Sequence, residues 1–442
     1  MTTIIAMALL SYAEAAEQIQ LYLKTQSTRE PDLAELGAAR EAAAQRSRRE
    51  KVALSSAAGR VLAEPIYADR DLPPFPRSTR DGYACRSDEA NTHQLLYIAG
   101  ELRAGQLATL RLSTGEACEI MTGAPVPEGA DAVFMIEHAE HGSHADPDPE
   151  GDFVRLAEDR ALAAGENIVP RGSEAKAGAM LLSAGVRLGP AQIALAAQCG
   201  YARLAVESKP LVAILTTGDE IVPVDVTPGP SQIRNSNAPM LTALVKAAGC
   251  DALPAASAAD TLEALDAALD RTLVAADLLL VSGGISAGRF DLVAEALTRR
   301  GARFFFGGVA IQPGKPVAFG QVPASRNPAA RQVPFLALPG NPISSAVTFR
   351  LFAAPLLAAL ACEGAAQPRF SLARLKEPWR GKPGLTRFLP AWCDFAPETT
   401  VRLVAWQGSG DLAAFARSNC LLIIAPETTE LPAGALVQIM LN

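Results

Sequence analysis

The sequence is poor in the features that mark nucleic-acid-binding, disulfide-bonded and membrane proteins. Its 442 residues carry a net charge of -7, so it lacks the basic excess that a nucleic-acid surface requires. Its seven cysteines are scattered and include no C-x-x-C pair, which favours reduced thiols over a disulfide framework or a zinc site. The apolar run near the N-terminus follows no Lys or Arg and is too short to cross a bilayer. We therefore expect a cytoplasmic protein that binds neither nucleic acid nor membranes.

The sequence does contain enough apolar material for several hydrophobic cores. Hydrophobic residues make up 49 % of the chain and charged residues 20 %, although aromatic residues contribute only 5 %. This composition does not favour disorder, and the length suffices for about three domains.

The residue pattern changes several times along the chain. Residues 12–60 have a helical pattern, and residues 93–168 consist of short alternating runs typical of an inserted all-β domain. From residue 208, buried strands alternate with helices, which predicts a doubly wound parallel sheet. Residues 365–442 return to short strands and predict a small barrel or sandwich. The predicted fold class is therefore a multidomain α/β plus β protein.

Three polar turns each follow a predicted buried strand of the α/β region. They are TTGDE at 216–220, SGGISAGRFD at 282–291 and LPGNP at 338–342. In open α/β sheets, ligands bind outside the carboxyl ends of the strands. We therefore expect the three turns to meet at one edge, although each turn alone is more simply a tight turn or a helix cap.

The residue types in these turns suit an anionic ligand. Glycines allow the backbone to approach a ligand, hydroxyl groups add donors, and a following helix start favours negative charge. The turn residues concerned are Ser282, Gly283, Gly284, Ser286, Gly340 and Asn341.

Carboxylates also lie on the same predicted edge. Asp219, Glu220 and Asp291 would repel a phosphate unless a cation lay between them, and oxygen ligands of this kind suit Mg²⁺. The sequence therefore predicts a phosphorylated small molecule bound together with a divalent cation.

Two other features have simpler interpretations. His138, His141 and His144 crowd a polar hairpin tip, but no cysteine or spaced carboxylate completes a metal-ligand set. Lys315 lies in IQPGKP, which lacks the spacing of a Walker loop; it could contact an anion or be an ordinary surface lysine in a turn.

These motifs, taken in order, resemble those of the molybdopterin molybdenumtransferase family, which is related to the E domain of gephyrin. The resemblance extends from about residue 48 to the C-terminus. Besides the three turns, the motifs that carry it are PPFPRSTRDGYA (73–84), GEACEIMTGAPVPEGADAV (115–133), IRNSN, IQPGKP and QGSG (407–410).

The resemblance implies a subunit of four parts, of the molybdopterin-binding type. Residues 1–66 and 169–207 would form a discontinuous N-terminal domain, and residues 67–168 an inserted β domain. Residues 208–358 would form the α/β domain and residues 359–442 the C-terminal β domain. It also implies a homodimer and possible contact with other cofactor-biosynthesis proteins.

The implied reaction joins molybdate to adenylylated molybdopterin with the assistance of Mg²⁺ and releases AMP. The positions that match the family's catalytic residues are Asp81, Thr122, Glu220, Asp260 and Asp291, of which Glu220 and Asp291 would bind the metal. The positions that match its ligand-binding residues are Gly283, Gly284, Ser286, Lys315, Pro339, Gly340, Asn341, Pro342, Arg387 and Ser409. Asp81 and Thr122 would face the α/β pocket of the other subunit.

The sequence departs from the family pattern at three positions. Gly308 and Gln312 stand where lysines are frequent, and Arg289 stands where an acidic residue is common. Fewer cations would weaken anion binding, so a specialised, non-catalytic binder or scaffold of the same family is the alternative. A choice between molybdate and tungstate does not follow from the sequence, because the two oxyanions have the same charge and nearly the same shape.

Overall fold

The computed structural model of the chain describes residues 7–27, 49–142, 152–284, 292–327, 330–363 and 368–441. His144, Ser286, Arg289 and Asp291 lie outside the described residues. The described residues form an α/β sheet, a separate β sheet inserted in the N-terminal half, and a C-terminal barrel.

The α/β sheet has a parallel centre and an antiparallel edge. Its strands lie in the order Asp251–Ala252, Leu211–Thr217, Leu278–Ser282, Gln332–Leu338, Ala318–Pro323, Arg303–Phe306, with Ala256–Ala258 also parallel to Leu211–Thr217. The last two strands run antiparallel to their neighbours. The central strands are buried along nearly their whole length, as their continuous apolar sequences predict.

Helices cover both faces of this sheet. Asn237–Ala247 and the continuous segment Pro342–Leu360 pack on one face, and Leu262–Thr272 and Leu292–Arg299 pack on the other. The predicted doubly wound arrangement is therefore confirmed. Within the described residues Pro342–Leu360 is long and apolar enough to cross a membrane, but 72 % of it is buried in the α/β core.

The N-terminal region differs from the predicted continuous helical stretch. Tyr12–Ser27 is a helix, whereas Arg49–Ala53 is a strand paired antiparallel with Arg203–Glu207, and Leu54–Ser56 is a single 3-10 turn. The prediction of helix up to residue 60 is wrong because pairing with a distant strand overrides the local helical preference of this charged segment.

The helix Tyr12–Ser27 packs against the α/β core. Its residues Ala15, Ile19 and Tyr22 are buried there, and Tyr22 contacts the ring of Phe319 edge-on at 5.3 Å between centroids. The grouping of residues 1–66 with 169–207 in one domain stays a prediction. The described residues 49–66 and 169–207 share a core of their own, with Ile66–Tyr67 paired to Met180–Leu182 and a helix at Pro190–Gln198.

The inserted region is built around one six-stranded sheet. Its strands lie in the order Ala132–Met135, Gly82–Cys85, Glu116–Ile120, Leu96–Leu102, Phe153–Leu156, Ala139–Gly142. The pair Arg77–Ser78 with Ile168–Val169 lies where the chain enters and leaves this region. Among its described residues, 67–142 and 152–168, the regular structure is β, as predicted, apart from the one-turn helix Ser87–Ala90 and a 3-10 turn at Ile136–His138.

The C-terminal strands close into a barrel. In order around it lie Thr386–Asp394, Thr400–Leu403, Phe370–Leu375, Leu436–Leu441 and Cys420–Ile424, and the last pairs back with the first. The two-residue strand Ile311–Gln312, from the IQPGKP segment, pairs parallel with Thr386–Asp394. Of the two predicted alternatives the structure is therefore the barrel, and it is joined to the α/β domain by this pairing.

Candidate functional site

Two of the three polar turns are in direct contact at the carboxyl edge of the α/β sheet. Their strands, Leu278–Ser282 and Gln332–Leu338, are neighbours, and the Gly283 N–H donates a hydrogen bond to the Leu338 carbonyl oxygen at 3.3 Å. A Cβ atom added to Gly340 would lie 3.6 Å from the Gly283 Cα atom. The structure thus brings SGG and LPGNP together, as their positions after adjacent strands predict.

The third turn, TTGDE, touches the SGG turn. Gly283 and Gly284 have positive φ angles of +96° and +65°, and a Cβ atom on Gly283 would lie 2.4 Å from the carbonyl oxygen of Thr217. Only glycine fits there, because a side chain would meet both an unfavourable backbone conformation and a neighbouring main chain.

Three carboxylates lie at the TTGDE turn: Asp219 and Glu220 belong to it, and Asp260 is bonded to it. The Thr217 hydroxyl donates a hydrogen bond to Asp260 Oδ1, and the Asp260 N–H donates one to Asp219 Oδ1 at 3.0 Å. Glu220 lies beside Gly218, where an added Cβ atom would come within 2.7 Å of its carboxylate. The Glu220 carboxylate is exposed and accepts no hydrogen bond from the described residues. Asp260 therefore lies close to the predicted cluster, whereas Asp291 is outside the described residues.

This arrangement differs from a closed metal cage. Among the residues that the structure describes, no three His, Cys, Asp or Glu side chains are grouped closely enough to hold a metal ion by themselves. Mg²⁺, however, is commonly held by one or two carboxylates together with water and substrate phosphates. Exposed carboxylate oxygens beside glycine turns therefore fit an ion that a phosphate ligand would share.

The LPGNP turn also contacts the C-terminal barrel. Asn341 Nδ2 donates a hydrogen bond to Ser409 Oγ at 2.8 Å, and the Ile343 N–H donates one to the Ser409 carbonyl oxygen at 3.0 Å. Pro342 is the first residue of the helix, and the buried Pro339 accepts a hydrogen bond from Ser345 Oγ through its carbonyl oxygen. Residues 407–411 line an open depression of about 680 Å³ beside this contact. Four of the predicted ligand-binding positions therefore lie in one region: Pro339, Asn341, Pro342 and Ser409.

The predicted cationic residues lie near the IQPGKP segment. Lys315 is exposed, and its carbonyl oxygen accepts a hydrogen bond from the Val309 N–H at 3.0 Å. Arg387 is only 8 % exposed, donates to the Leu385 carbonyl oxygen at 3.2 Å and lies 5.6 Å above the centroid of Trp379. Gln312 is the direct strand partner of Arg387, so this segment connects the α/β domain with the arginine.

At Gly308 a side chain would meet the N-terminal segment. A Cβ atom there would lie 3.2 Å from the Leu9 Cδ1 atom, and the Gly308 carbonyl oxygen accepts a hydrogen bond from the Leu10 N–H at 3.2 Å. The segment before the first helix therefore packs over this position.

Asp81 and Thr122 form a separate pair on the inserted domain. They lie at the adjoining ends of the paired strands Gly82–Cys85 and Glu116–Ile120. Hydrogen bonds from the backbone N–H and then the hydroxyl of Thr122 hold the pKa of the Asp81 carboxyl below its usual range. Their side-chain hydrogen bonds stay within the pair, and none among the described residues reaches the α/β turns. The structure therefore brings these two residues together but not to the turns of the same chain.

Two polar residues at the sheet edge, Thr217 and Asn237, were not among the site residues predicted from the sequence. Thr217 bonds Asp260, and Asn237 donates hydrogen bonds to Ser282 Oγ at 2.8 Å and to the Gly340 carbonyl oxygen at 2.7 Å. In the sequence, IRNSN is one of the motifs of the family resemblance, and no role for residue 237 was predicted from it. The contacts of this amide depend on turns far away in sequence.

Comparison with protein-family models assigns nearly the whole chain. Residues 11–200 match the MoeA N-terminal region (domain I and II), residues 213–359 match a probable molybdopterin binding domain, and residues 372–441 match the MoeA C-terminal region (domain IV). The family resemblance inferred from the motifs is therefore confirmed.

Curated relatives and solved structures agree with this assignment. A molybdopterin molybdenumtransferase of Bacillus subtilis is 32 % identical over 398 residues, which cover 89 % of each chain. Molybdopterin molybdenumtransferase 2 of Mycobacterium tuberculosis is 34 % identical over 405 residues, covering 88 % of this chain and 94 % of that protein. The crystal structure of a molybdopterin biosynthesis MoeA protein from Pyrococcus horikoshii superposes with a TM-score of 0.76 at 25 % identity, covering 98 % of this chain and all of that one.

Proposed function

The chain belongs to the molybdopterin molybdenumtransferase family and acts in molybdenum cofactor biosynthesis, and on that premise we propose the reaction that it catalyses. Adenylylated molybdopterin and molybdate bind at the edge formed by the three turns. Water cleaves the phosphoanhydride and AMP leaves, and the two dithiolene thiols form Mo–S bonds while one molybdate oxygen departs with their protons as water. The observation that carries this proposal is the meeting of the SGG and LPGNP turns beside the carboxylates of TTGDE.

The chemical demand of the step is cleavage of a phosphoanhydride, in which negative charge develops on phosphate oxygens. The backbone N–H groups of Gly284 and Gly340, which donate to none of the described residues, are suited to bind those oxygens. Arg387 and Ser409 would contribute a cation and a hydroxyl from the barrel side, with Lys315 as a second cation.

Mg²⁺ is part of the proposal, with Glu220 and Asp291 as its protein ligands. When bound, it supplies positive charge to the phosphate oxygens. Thr217 fixes the orientation of Asp260, whose N–H in turn fixes Asp219. This leaves the Glu220 carboxylate as the one of the three without a hydrogen bond from the described residues, which suits a metal ligand.

Asp81 and Thr122 belong to the proposed site through a second subunit. They are exposed at one end of the inserted sheet and have no partner in the α/β turns of their own chain among the described residues. We place them against the α/β turns of the partner in a cytoplasmic homodimer, the symmetric assembly most frequent among soluble proteins.

The alternative is a protein of the same family that binds pterin without catalysis. Such a binder gains nothing from carboxylates beside an anionic ligand, because like charges in one cleft are unfavourable without a cation. The relatives named as transferases also favour the enzyme. The test is release of AMP from adenylylated molybdopterin with molybdate and Mg²⁺, with tungstate in a parallel reaction to determine which oxyanion is preferred.

A further inference from the structure

Asn237 connects the two glycine turns of the site. It is the first residue of the helix Asn237–Ala247 and is 7 % exposed. Its Nδ2 atom donates to Ser282 Oγ at 2.8 Å, directly before the SGG glycines, and to the Gly340 carbonyl oxygen at 2.7 Å, within LPGNP. A carbonyl oxygen can only accept, so the amide atom that faces Gly340 must be the nitrogen.

The other end of the same amide has no partner. Asn237 Oδ1 is buried and accepts no hydrogen bond from the described residues. A buried acceptor without a partner lowers stability, and an apolar side chain of similar size would avoid that cost. Such a side chain would, however, leave the Gly340 carbonyl oxygen without this donor, so the bonds made by Nδ2 are what the amide contributes at this position.

The bond to Gly340 determines the direction of the next N–H group. The Gly340–Asn341 peptide is trans, so its C=O and N–H point in opposite directions. Because Asn237 holds the Gly340 carbonyl oxygen towards the buried helix start, the Asn341 N–H points away from it. Asn341 is exposed, and its N–H donates to none of the described residues.

We propose that Asn237 is a positioning residue that keeps the Gly340 carbonyl oxygen away from the ligand and presents the Asn341 N–H to an anionic phosphate oxygen. The identity of the phosphate ligand rests on the proposed function, whereas the orientation of the peptide does not. Without Asn237, the peptide could rotate and bring a carbonyl oxygen to the anion, which would repel it.

Asn235 provides a matched control. It is 9 % exposed, its Oδ1 accepts from the Ala238 N–H at 3.0 Å, and its Nδ2 donates to Thr216 Oγ1 at 2.9 Å. In Asn235→Asp the Thr216 hydroxyl can rotate and donate to the new carboxylate. In Asn237→Asp the Gly340 carbonyl oxygen cannot donate, so it would face the new carboxylate without a hydrogen bond. Both variants add one negative charge near the start of the same helix, so comparing them separates the charge from the lost hydrogen bond.

The first experiment measures AMP binding by calorimetry. We expect Asn237→Ala and Asn237→Asp to raise the Kd for AMP by about tenfold or more, as expected for the loss of one hydrogen bond to a charged group. Asn235→Asp should remain within about twofold of the wild type, since its charge is added without freeing a carbonyl oxygen. Unchanged AMP binding in both Asn237 variants would overturn the proposal.

The second experiment uses only wild-type protein, so its result does not depend on whether a variant folds. In wild-type protein labelled with ¹⁵N-asparagine, addition of AMP should shift the backbone amide resonance of Asn341. A resonance that does not respond while AMP binds contradicts the proposal, even if the enzyme releases AMP during turnover. If Asn341 responds but the protein never releases AMP from the adenylylated substrate, the proposed reaction is wrong, whereas the ligand contact of the Asn341 N–H stands and the AMP affinities of the Asn237 variants decide the role of Asn237.

Discussion

A single carboxylate oxygen of Asp81 accepts two hydrogen bonds from Thr122, one from its backbone nitrogen at 2.6 Å and one from its Oγ1 atom at 2.8 Å. Both bonds favour the ionised carboxylate and lower the pKa of Asp81, the backbone bond more than the hydroxyl bond. The pair therefore presents a fixed negative charge from the inserted domain at neutral pH.

Removal of the Thr122 hydroxyl should raise the pKa of Asp81 only part of the way to its usual value. Thr122→Val retains the shape and the backbone N–H, which is the larger of the two causes. Thr122→Ser retains the hydroxyl and serves as the control. A ¹³C-detected carboxyl titration measures the pKa of Asp81 in each protein. An equal pKa in Thr122→Val and wild type would show that the hydroxyl does not lower it.

The sign of the pH dependence follows from the same shift. A carboxyl whose folded-state pKa is lowered stabilises the fold above its unfolded pKa of about 4, and loses that contribution as the pH falls through the folded-state pKa. We therefore expect the pH-dependent part of the difference in unfolding free energy between wild type and Thr122→Val to disappear under strongly acidic conditions. Denaturant unfolding of the two proteins across this pH range measures it.

Glu220→Gln should impair metal-dependent turnover without affecting folding. Its carboxylate is exposed and accepts no hydrogen bond from the described residues, so the neutral amide should leave the melting temperature within about 1 °C. Loss of a metal ligand should reduce AMP release by about tenfold or more and raise the Mg²⁺ concentration needed for half-maximal rate.

The control for this substitution is Glu64→Gln, an exposed glutamate of the N-terminal region. It makes the same chemical change away from the three turns and should retain wild-type turnover. Addition of EDTA should abolish AMP release by both the wild type and the control. Full activity of Glu220→Gln at low Mg²⁺ would exclude Glu220 as a metal ligand.

Arg187 should contribute strongly to the contact between the N-terminal region and the α/β domain. Its guanidinium makes two hydrogen bonds to Glu363, at 2.9 and 2.5 Å, and also donates to the Gly59 and Ala248 carbonyl oxygens. Both ionic side chains are partly buried, so we expect a coupling free energy of about 2 kcal/mol in a double-mutant cycle of Arg187→Met and Glu363→Gln. A coupling free energy near zero would show that this pair contributes no more than an exposed surface ion pair.

Subunit mixing tests whether the site is completed by a partner. Asp81→Asn and Glu220→Gln homodimers should each be nearly inactive. Mixed dimers should contain one site with both carboxylates intact, which restores about a quarter of the wild-type activity at random exchange of subunits. If the site lay within one chain, no mixed dimer would recover activity.

The sequence predicted the α/β sheet and its turns well because the signals there are local. The runs LVAIL, LLLV and FLAL are continuously apolar and end in glycine turns, and the structure buries them as central strands. Strand order places the turns of Gly283 and Gly340 side by side, so their contact follows from the fold class.

Long-range pairings were not predictable in the same way. Arg49–Ala53 pairs with Arg203–Glu207, although the local sequence RREKVA (48–53) favours a helix. Ile311–Gln312 joins the barrel through Thr386–Asp394, although it belongs to the α/β segment. The function of Asn237 likewise depends on two turns distant in sequence, and nothing in IRNSN indicates them.

In the proposed reaction, this chain releases AMP from adenylylated molybdopterin while inserting molybdenum, and Asp81 is needed for it. The direct measurement is the rate of AMP formation by purified wild type and Asp81→Asn with adenylylated molybdopterin, molybdate and Mg²⁺. Asp81→Asn changes the charge with little change in shape, so we expect rapid AMP formation by the wild type and a rate lower by about tenfold or more in the variant. No AMP formation above background by the wild type, or equal rates for the two proteins, would contradict the claim.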